Sequence, residues 1–184
     1  MRIGKLGQNS VTLYQHKFAY SDGFARVVQT KSQAAPATSG GPPRWVGSGW
    51  TIFNNKGKPA RKCEPFFSAT NAYEFAAING VSSVLFYDPP GRPVATLHPD
   101  NTWAKTVFDA WRQEIWDGND TVLITDPRTD PDVGDYFLRL LGTVPFVSWH
   151  DLRIGGTYGP TPADQAAQQD AAKKSEAHAA TPNR

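Results

Sequence analysis

One cysteine, Cys63, and one methionine are all the sulfur this 184-residue chain carries. A lone cysteine excludes an internal disulfide framework and a cysteine-built zinc site, and it fits a reducing compartment. No run approaches the ~18 apolar residues that a helical membrane span needs. The opening MRIGKLGQNS has no apolar stretch of the secretory kind. Neither a P-loop nor a G-x-G-x-x-G fingerprint occurs, which removes the two best-marked nucleotide folds. No internal repeat is evident. The expectation drawn from these absences is a cytoplasmic protein that can reach a membrane through partners or leave the cell by a specialised secretion machine.

Acid is nearly absent from the first third. Residues 1–62 carry ten Lys or Arg against one carboxylate, Asp22, whereas residues 63–184 carry nine basic and sixteen acidic residues. A formal charge of +2 thus conceals a front of +9 and a rear of −7. Such polarity suits a partner that is DNA or another polyanion. It equally suits two halves of one fold that face each other.

Six Trp, six Tyr and ten Phe can build a core. No aromatic follows Tyr158, and from Thr157 onward Ala, Gln, Lys, Thr and Pro dominate. The expectation is a single α+β domain over 1–156 and a tail, 157–184, that is disordered or a weak helix. The domain would pack a mixed, partly antiparallel sheet against about three helices.

Strands are expected at Ser10–Ala19, Trp45–Phe53, Phe66-Phe67, Val81–Tyr87, Pro93–Leu97, Thr121–Thr125 and Val144–Trp149. Phe24–Ala34 fits either a short helix or a returning hairpin strand. Ala35–Pro43 reads as a loop and Asn54–Pro59 as a basic turn. Asn71 and Glu74 have capping-box spacing, which predicts a helix over Ala72–Ile78 stopped by Asn79-Gly80. Trp103, Val107, Trp111 and Ile115 lie four apart and predict a helix over Asp100–Trp116. Asp130-Pro131 opens a further helix, with Val133, Phe137, Leu140 and Leu141 inward and Gly142 at its end.

Four constellations carry candidate chemistry. Ser68, Thr70 and Asn71, with Arg61 and Lys62 upstream, suit a phosphate at a helix start; plain capping is the alternative. Asp126, Asp130 and Asp132, with Asp135 nearby, gather at a strand end and a helix start. They could hold a catalytic Mg²⁺ that polarises ATP or a DNA phosphate, or could simply cap the helix. Arg44, Trp45, Lys56 and Lys58 interleave cations and aromatics, as nucleic-acid surfaces do. His150-Asp151 has the order of an oriented general base, and His98 is a further imidazole.

Two families resemble parts of this pattern. NAYEFAAINGVSSVLFYD, with Ala76, Ala77 and Gly80, is similar to the later part of the ParB/sulfiredoxin-like motif. Plasmid fertility-inhibition proteins belong to that superfamily. The family's glycine and arginine are replaced here by Ser68-Ala69-Thr70-Asn71. The resemblance implies Mg²⁺-dependent DNA cleavage, ATP hydrolysis, and a secretion or conjugation component as partner. FFSATN followed by VLFYD, together with LYQHKF, resembles the ADP-ribosyltransferase superfamily. That resemblance implies an NAD-consuming toxin using His16, Ser68 and Glu114. A third reading is a non-enzymatic protein-binding inhibitor or adaptor.

Overall fold

The computed structural model describes residues 15–183; the start of the strand expected from Ser10 lies outside them. The class is α+β, with ten strands in two sheets and three α-helices among the described residues. All strand pairs are antiparallel. The chain forms two compact units. One holds the described residues up to Trp50 and Pro65–Asn79; the other holds Thr51–Glu64 and the described residues from Gly80 onward.

The first unit is a four-stranded sheet in the order β1-β2-β3-β6, built from β1 (Lys17–Ser21), β2 (Val27–Ala34), β3 (Arg44–Gly47) and β6 (Phe66–Ser68). The hairpin option at Phe24–Ala34 is the one adopted. Lys31 is fully buried in β2, pairs with Glu74 and lies 4.6 Å from the centre of the Phe66 ring. Buried Gln29 donates to the Glu74 carbonyl and accepts from its N–H. These bonds displace the helix expected over Ala72–Ile78: the segment is coil with a bend at Ala72 and a turn at Phe75-Ala76, where Ala76 has φ 52°. Glu74 answers a buried lysine instead of a helix start.

The second unit carries a six-stranded sheet in the order β10-β9-β8-β7-β5-β4. Its strands are β4 (Thr51–Phe53), β5 (Pro59–Cys63), β7 (Ser82–Tyr87), β8 (Pro93–Leu97), β9 (Trp103–Phe108) and β10 (Gln113–Trp116). The single strand expected over Trp45–Phe53 is thus broken at Ser48–Trp50 into β3 and β4, which belong to different sheets. The helix expected over Asp100–Trp116 is the β9–β10 hairpin. A spacing of four places residues on one face of a strand as well as of a helix. Trp103 is buried, but Trp111 sits at the turn, 96% exposed.

Helices α1 (Gly134–Leu141), α2 (Trp149–Ile154) and α3 (Pro162–Glu176) follow the sheet. Thr121–Thr125, expected as a strand, is a turn and coil in which the Thr121 hydroxyl donates to the Trp103 carbonyl at 2.6 Å. Val144–Ser148 is coil leading to α2, whose N-cap Ser148 accepts the Asp151 N–H at 3.0 Å. In α1, Phe137 is fully buried as expected, while Leu140 is largely exposed. The core joins Val94, Ala95, Leu97, Trp103, Val133 and Phe137.

The Ala-rich tail is ordered as α3, capped by Thr161 with Pro162 in its first turn. Ala172 is fully buried on α3, where a methyl allows close packing. Polar bonds supply what apolar area does not. Arg153 donates to Gln168 at 2.7 Å, and Gln169 donates to the Ile154 carbonyl at 2.8 Å. Beyond the helix, Thr181 bonds Asp120, and Asn183 exchanges two backbone bonds with Ile115.

Three turns share one clasp and a fourth repeats its backbone part, a recurrence that unequal spacing hides in the sequence. In Asp22–Arg26, Asp88–Arg92 and Asp109–Arg112, the Asp accepts two backbone N–H groups of the turn on Oδ1. Its Oδ2 accepts the Arg Nε at 2.7, 2.7 and 2.9 Å. Asn54–Lys58 repeats the backbone part, with Asn54 Oδ1 accepting from Lys56 and Lys58. At Asp88 burial pushes the carboxyl upward, but the bonds from Arg92 outweigh it and hold the group below its ordinary value. A carboxylate lowered in this way stabilises above its unfolded value, about pH 4, and loses that contribution as pH falls through the folded value. Asp88→Ala is expected to lower the melting temperature by a few degrees at pH 7 and by less at pH 3, as thermal melts at both pH values would read.

Candidate functional site

The acidic cluster is occupied by cations of the chain itself. Asp126 caps the 3-10 turn Pro127–Thr129 and holds Arg128 through both carboxylate oxygens, at 2.7 to 3.1 Å. Arg128 also donates to the carbonyls of Gly142 and Val144, fastening the end of α1. The bonds from Arg128 lower the Asp126 carboxyl despite its partial burial. Asp130 and Asp132 converge on Lys105, each with Oδ2 at 2.7 Å from Nζ. Burial alone would lower the Lys105 ammonium, but the bonds from Asp130 and Asp132 reverse the direction and raise it. The ammonium also lies 4.8 Å from the centre of the Trp116 ring. The carboxylates read as Mg²⁺ ligands are therefore counter-ions of a buried lysine and an arginine. Among the described residues, no three His, Cys, Asp or Glu side chains gather so as to hold a metal ion.

The phosphate set falls in both units. Ser68 exchanges hydrogen bonds with the backbone of Thr70, and the Thr70 hydroxyl accepts the Ala72 N–H at 3.0 Å. The Asn71 carbonyl accepts from Tyr20. These hydroxyls satisfy their own turn, the capping alternative, although no helix follows. Arg61 and Lys62 lie in β5 of the second unit.

The basic and aromatic set is similarly divided. Arg44 lies 3.9 Å from the centre of the Phe67 ring and donates to the Ala35 carbonyl, while Trp45 packs edge-on against Phe18. Lys56 and Lys58 belong to the β4–β5 turn of the other unit, where Lys56 donates to the Pro89 carbonyl. Of the ADP-ribosyltransferase set, His16 and Ser68 lie in the first unit and Glu114 in β10 of the second. Glu114 accepts the Trp116 indole N–H at 2.8 Å.

A cleft of mixed polar and apolar lining, which the sequence did not suggest, lies in the second unit. Its volume is about 340 Å³, and Asp100, Thr102, Asp117, Asn119, Trp149 and Ser175 are among the residues lining it. Asp100 comes from the β8–β9 turn and Asp117 from the end of β10. Next to it is a void of about 10 Å³ lined in part by Thr102, Trp149 and His150, about one water in size. His150 is buried with Nε2 2.8 Å from Glu176 of α3, and its Nδ1 has no hydrogen-bond partner. The imidazole is oriented by Glu176 rather than by neighbouring Asp151, whose Oδ1 stays 3.9 Å away. That contact unites residues 26 apart in sequence.

No family model matches the chain, and no curated protein matches it. Solved toxin structures do. A crystal structure of TcdB2-TccC3 matches with a TM-score of 0.51 and 26% identity over 62% of this chain. TcdB2-TccC3 without its hypervariable C-terminal region matches with a TM-score of 0.50 and 26% identity over the same 62%. The Tc holotoxin pore of Photorhabdus luminescens, carrying a TccC3 mutation, shares the fold at a TM-score of 0.53 and 23% identity over 63%. Each match takes in 6% of the toxin chain, so this protein spans a small part of the chains it resembles. None of these comparisons supports the ParB/sulfiredoxin likeness. The helix that motif needs after Asn71 is absent as well. No helix among the described residues is long and apolar enough to cross a membrane.

Proposed function

We propose that this chain is a structural segment of a toxin polypeptide, of the kind that TcdB2-TccC3 contains outside its hypervariable C-terminal region. One observation carries the reading. The match keeps its identity and its coverage when that region is missing from the toxin structure. The physics of the chain is consistent with a scaffold. Clasped hairpins give rigid sheets, and the carboxylates best placed for chemistry neutralise Lys105 and Arg128 instead. The reading is closest to the non-enzymatic alternative drawn from the sequence.

Kinship with toxins also favours a second reading, the NAD-consuming enzyme with His16, Ser68 and Glu114. Mg²⁺- and ATP-dependent DNA cleavage by Asp126, Asp130 and Asp132 has no such kinship behind it. Inducible expression of the chain in bacterial and eukaryotic cells separates the three. The scaffold reading predicts unchanged growth. Growth arrest relieved by Glu114→Ala would transfer the assignment to NAD chemistry, and arrest relieved by Asp126→Asn would transfer it to the nuclease.

A further inference from the structure

The sheet of the second unit has two unlike ends. Antiparallel order places the turns Asn54–Lys58, Asp88–Arg92 and Asp109–Arg112 side by side at one of them. Contacts tie the three together: Lys56 donates to the Pro89 carbonyl, and Arg92 lies 4.2 Å from the centre of the Phe108 ring. Lys56, Lys58, Arg92 and Arg112 stand there against Asp88 and Asp109, a net charge of +2. Asp–Arg clasps brace two of these turns and the bonds to Asn54 Oδ1 brace the third, so this end is preorganised. Trp111 projects from it 96% exposed. Its indole is the most exposed of the large hydrophobic side chains among the described residues, and Trp with flanking Arg is the composition of interface anchors.

The opposite end carries the cleft. Asp100 and Asp117 stand among its lining residues, which include no lysine or arginine. Val122 and the Trp149 ring give it an apolar part. Its volume of about 340 Å³ lies in the range of cavities that take one compact group. Hydrogen bonds from the Thr102 N–H and hydroxyl outweigh the effect of burial on Asp100 and hold its carboxyl below the ordinary value, so it is ionised near neutral pH.

We propose that these ends are complementary and that a second copy of this chain docks head to tail, its Trp111 entering the Asp100/Asp117 cleft. Lys58, Arg92 and Arg112 of the incoming turns then face the two carboxylates. Such a contact is heterologous: each copy offers one used and one unused end, so association continues beyond a dimer as concentration rises. The inference uses charge and shape only and does not depend on the toxin reading.

Sedimentation velocity of the whole chain over a concentration series, at low and high salt, tests it. The expected result is a sedimentation coefficient that rises with concentration at ~50 mM salt and much less at ~500 mM, where screening is short-ranged. Trp111→Ala weakens the association by about tenfold or more. Because the indole is in water, this variant keeps the wild-type melting temperature. Lys58→Glu, a charge reversal on an exposed side chain, has the same direction of effect. Mixing Trp111→Ala with Asp100→Asn/Asp117→Asn leaves one intact junction per pair and yields dimers that grow no further. A wild-type chain that stays monomeric at ~100 µM in low salt overturns the proposal, since a contact of micromolar strength would be saturated there. Association unchanged by Trp111→Ala overturns it equally.

Discussion

Lys105→Met is expected to destabilise the second unit by about 3–5 kcal/mol, the range for breaking a buried ion pair by removing one partner. Its side chain is 4% exposed and that of Asp130 is fully buried, so the variant leaves a carboxylate in the interior facing no cation. The magnitude comes from that orphaned charge, because pairing itself returns little more than the desolvation of its members. Adding Asp130→Asn and Asp132→Asn to Lys105→Met should therefore recover a substantial part of the loss. The lysine's raised ammonium value sets the pH response. Its contribution is complete below the unfolded value, about 10.4, and is lost as pH rises through the higher folded value. Chemical denaturation of the wild type, the single variant and the triple variant reads both effects. A Lys105→Met chain as stable as the wild type would remove Lys105 from its place as the organising charge of this unit.

Phe137→Ala should cost a similar amount, about 3–5 kcal/mol, by a different mechanism. Phe137 is fully buried on α1. It meets Trp103 edge-on with ring centres 5.4 Å apart and Phe86 at 5.0 Å. Truncation removes both ring contacts and opens a cavity between helix and sheet that rigid strands cannot close. Phe137→Leu, which keeps most of the volume, should cost less than half as much. If α1 were loosely attached, the two variants would melt together near the wild-type temperature.

What the sequence disclosed depends on how local the cause was. Pro93–Leu97 is a strand with the bounds expected, and Asn54–Lys58 is a turn, because proline, glycine and β-branched residues act on their own backbone. The α1 core face around Phe137 was legible for the same reason. The hairpin at residues 103–116 was not, since a four-residue interval satisfies both a strand and a helix. Thr106, Val107 and the clasp residues Asp109 and Arg112 decide the matter. Glu74 looked like a capping residue until Lys31, 43 positions earlier, was placed against it. Asp130 and Asp132 looked like metal ligands because Lys105, 25 and 27 positions away, was invisible as their partner. The tail has no aromatic after Tyr158, yet side-chain bonds between α3 and α2 order it. Candidate sites read from charge alone are thus the ones most exposed to reassignment by distant partners.

Turnover by the purified chain tests the central claim most directly. NAD, ATP with Mg²⁺, and duplex DNA with Mg²⁺ would each be incubated with the wild type and with Glu114→Ala and Asp126→Asn. A structural segment predicts no nicotinamide release, no ATP hydrolysis and no strand cleavage above the buffer control in any of them. Nicotinamide release by the wild type that disappears in Glu114→Ala, or Mg²⁺-dependent cleavage that disappears in Asp126→Asn, would contradict it and make the chain an enzyme.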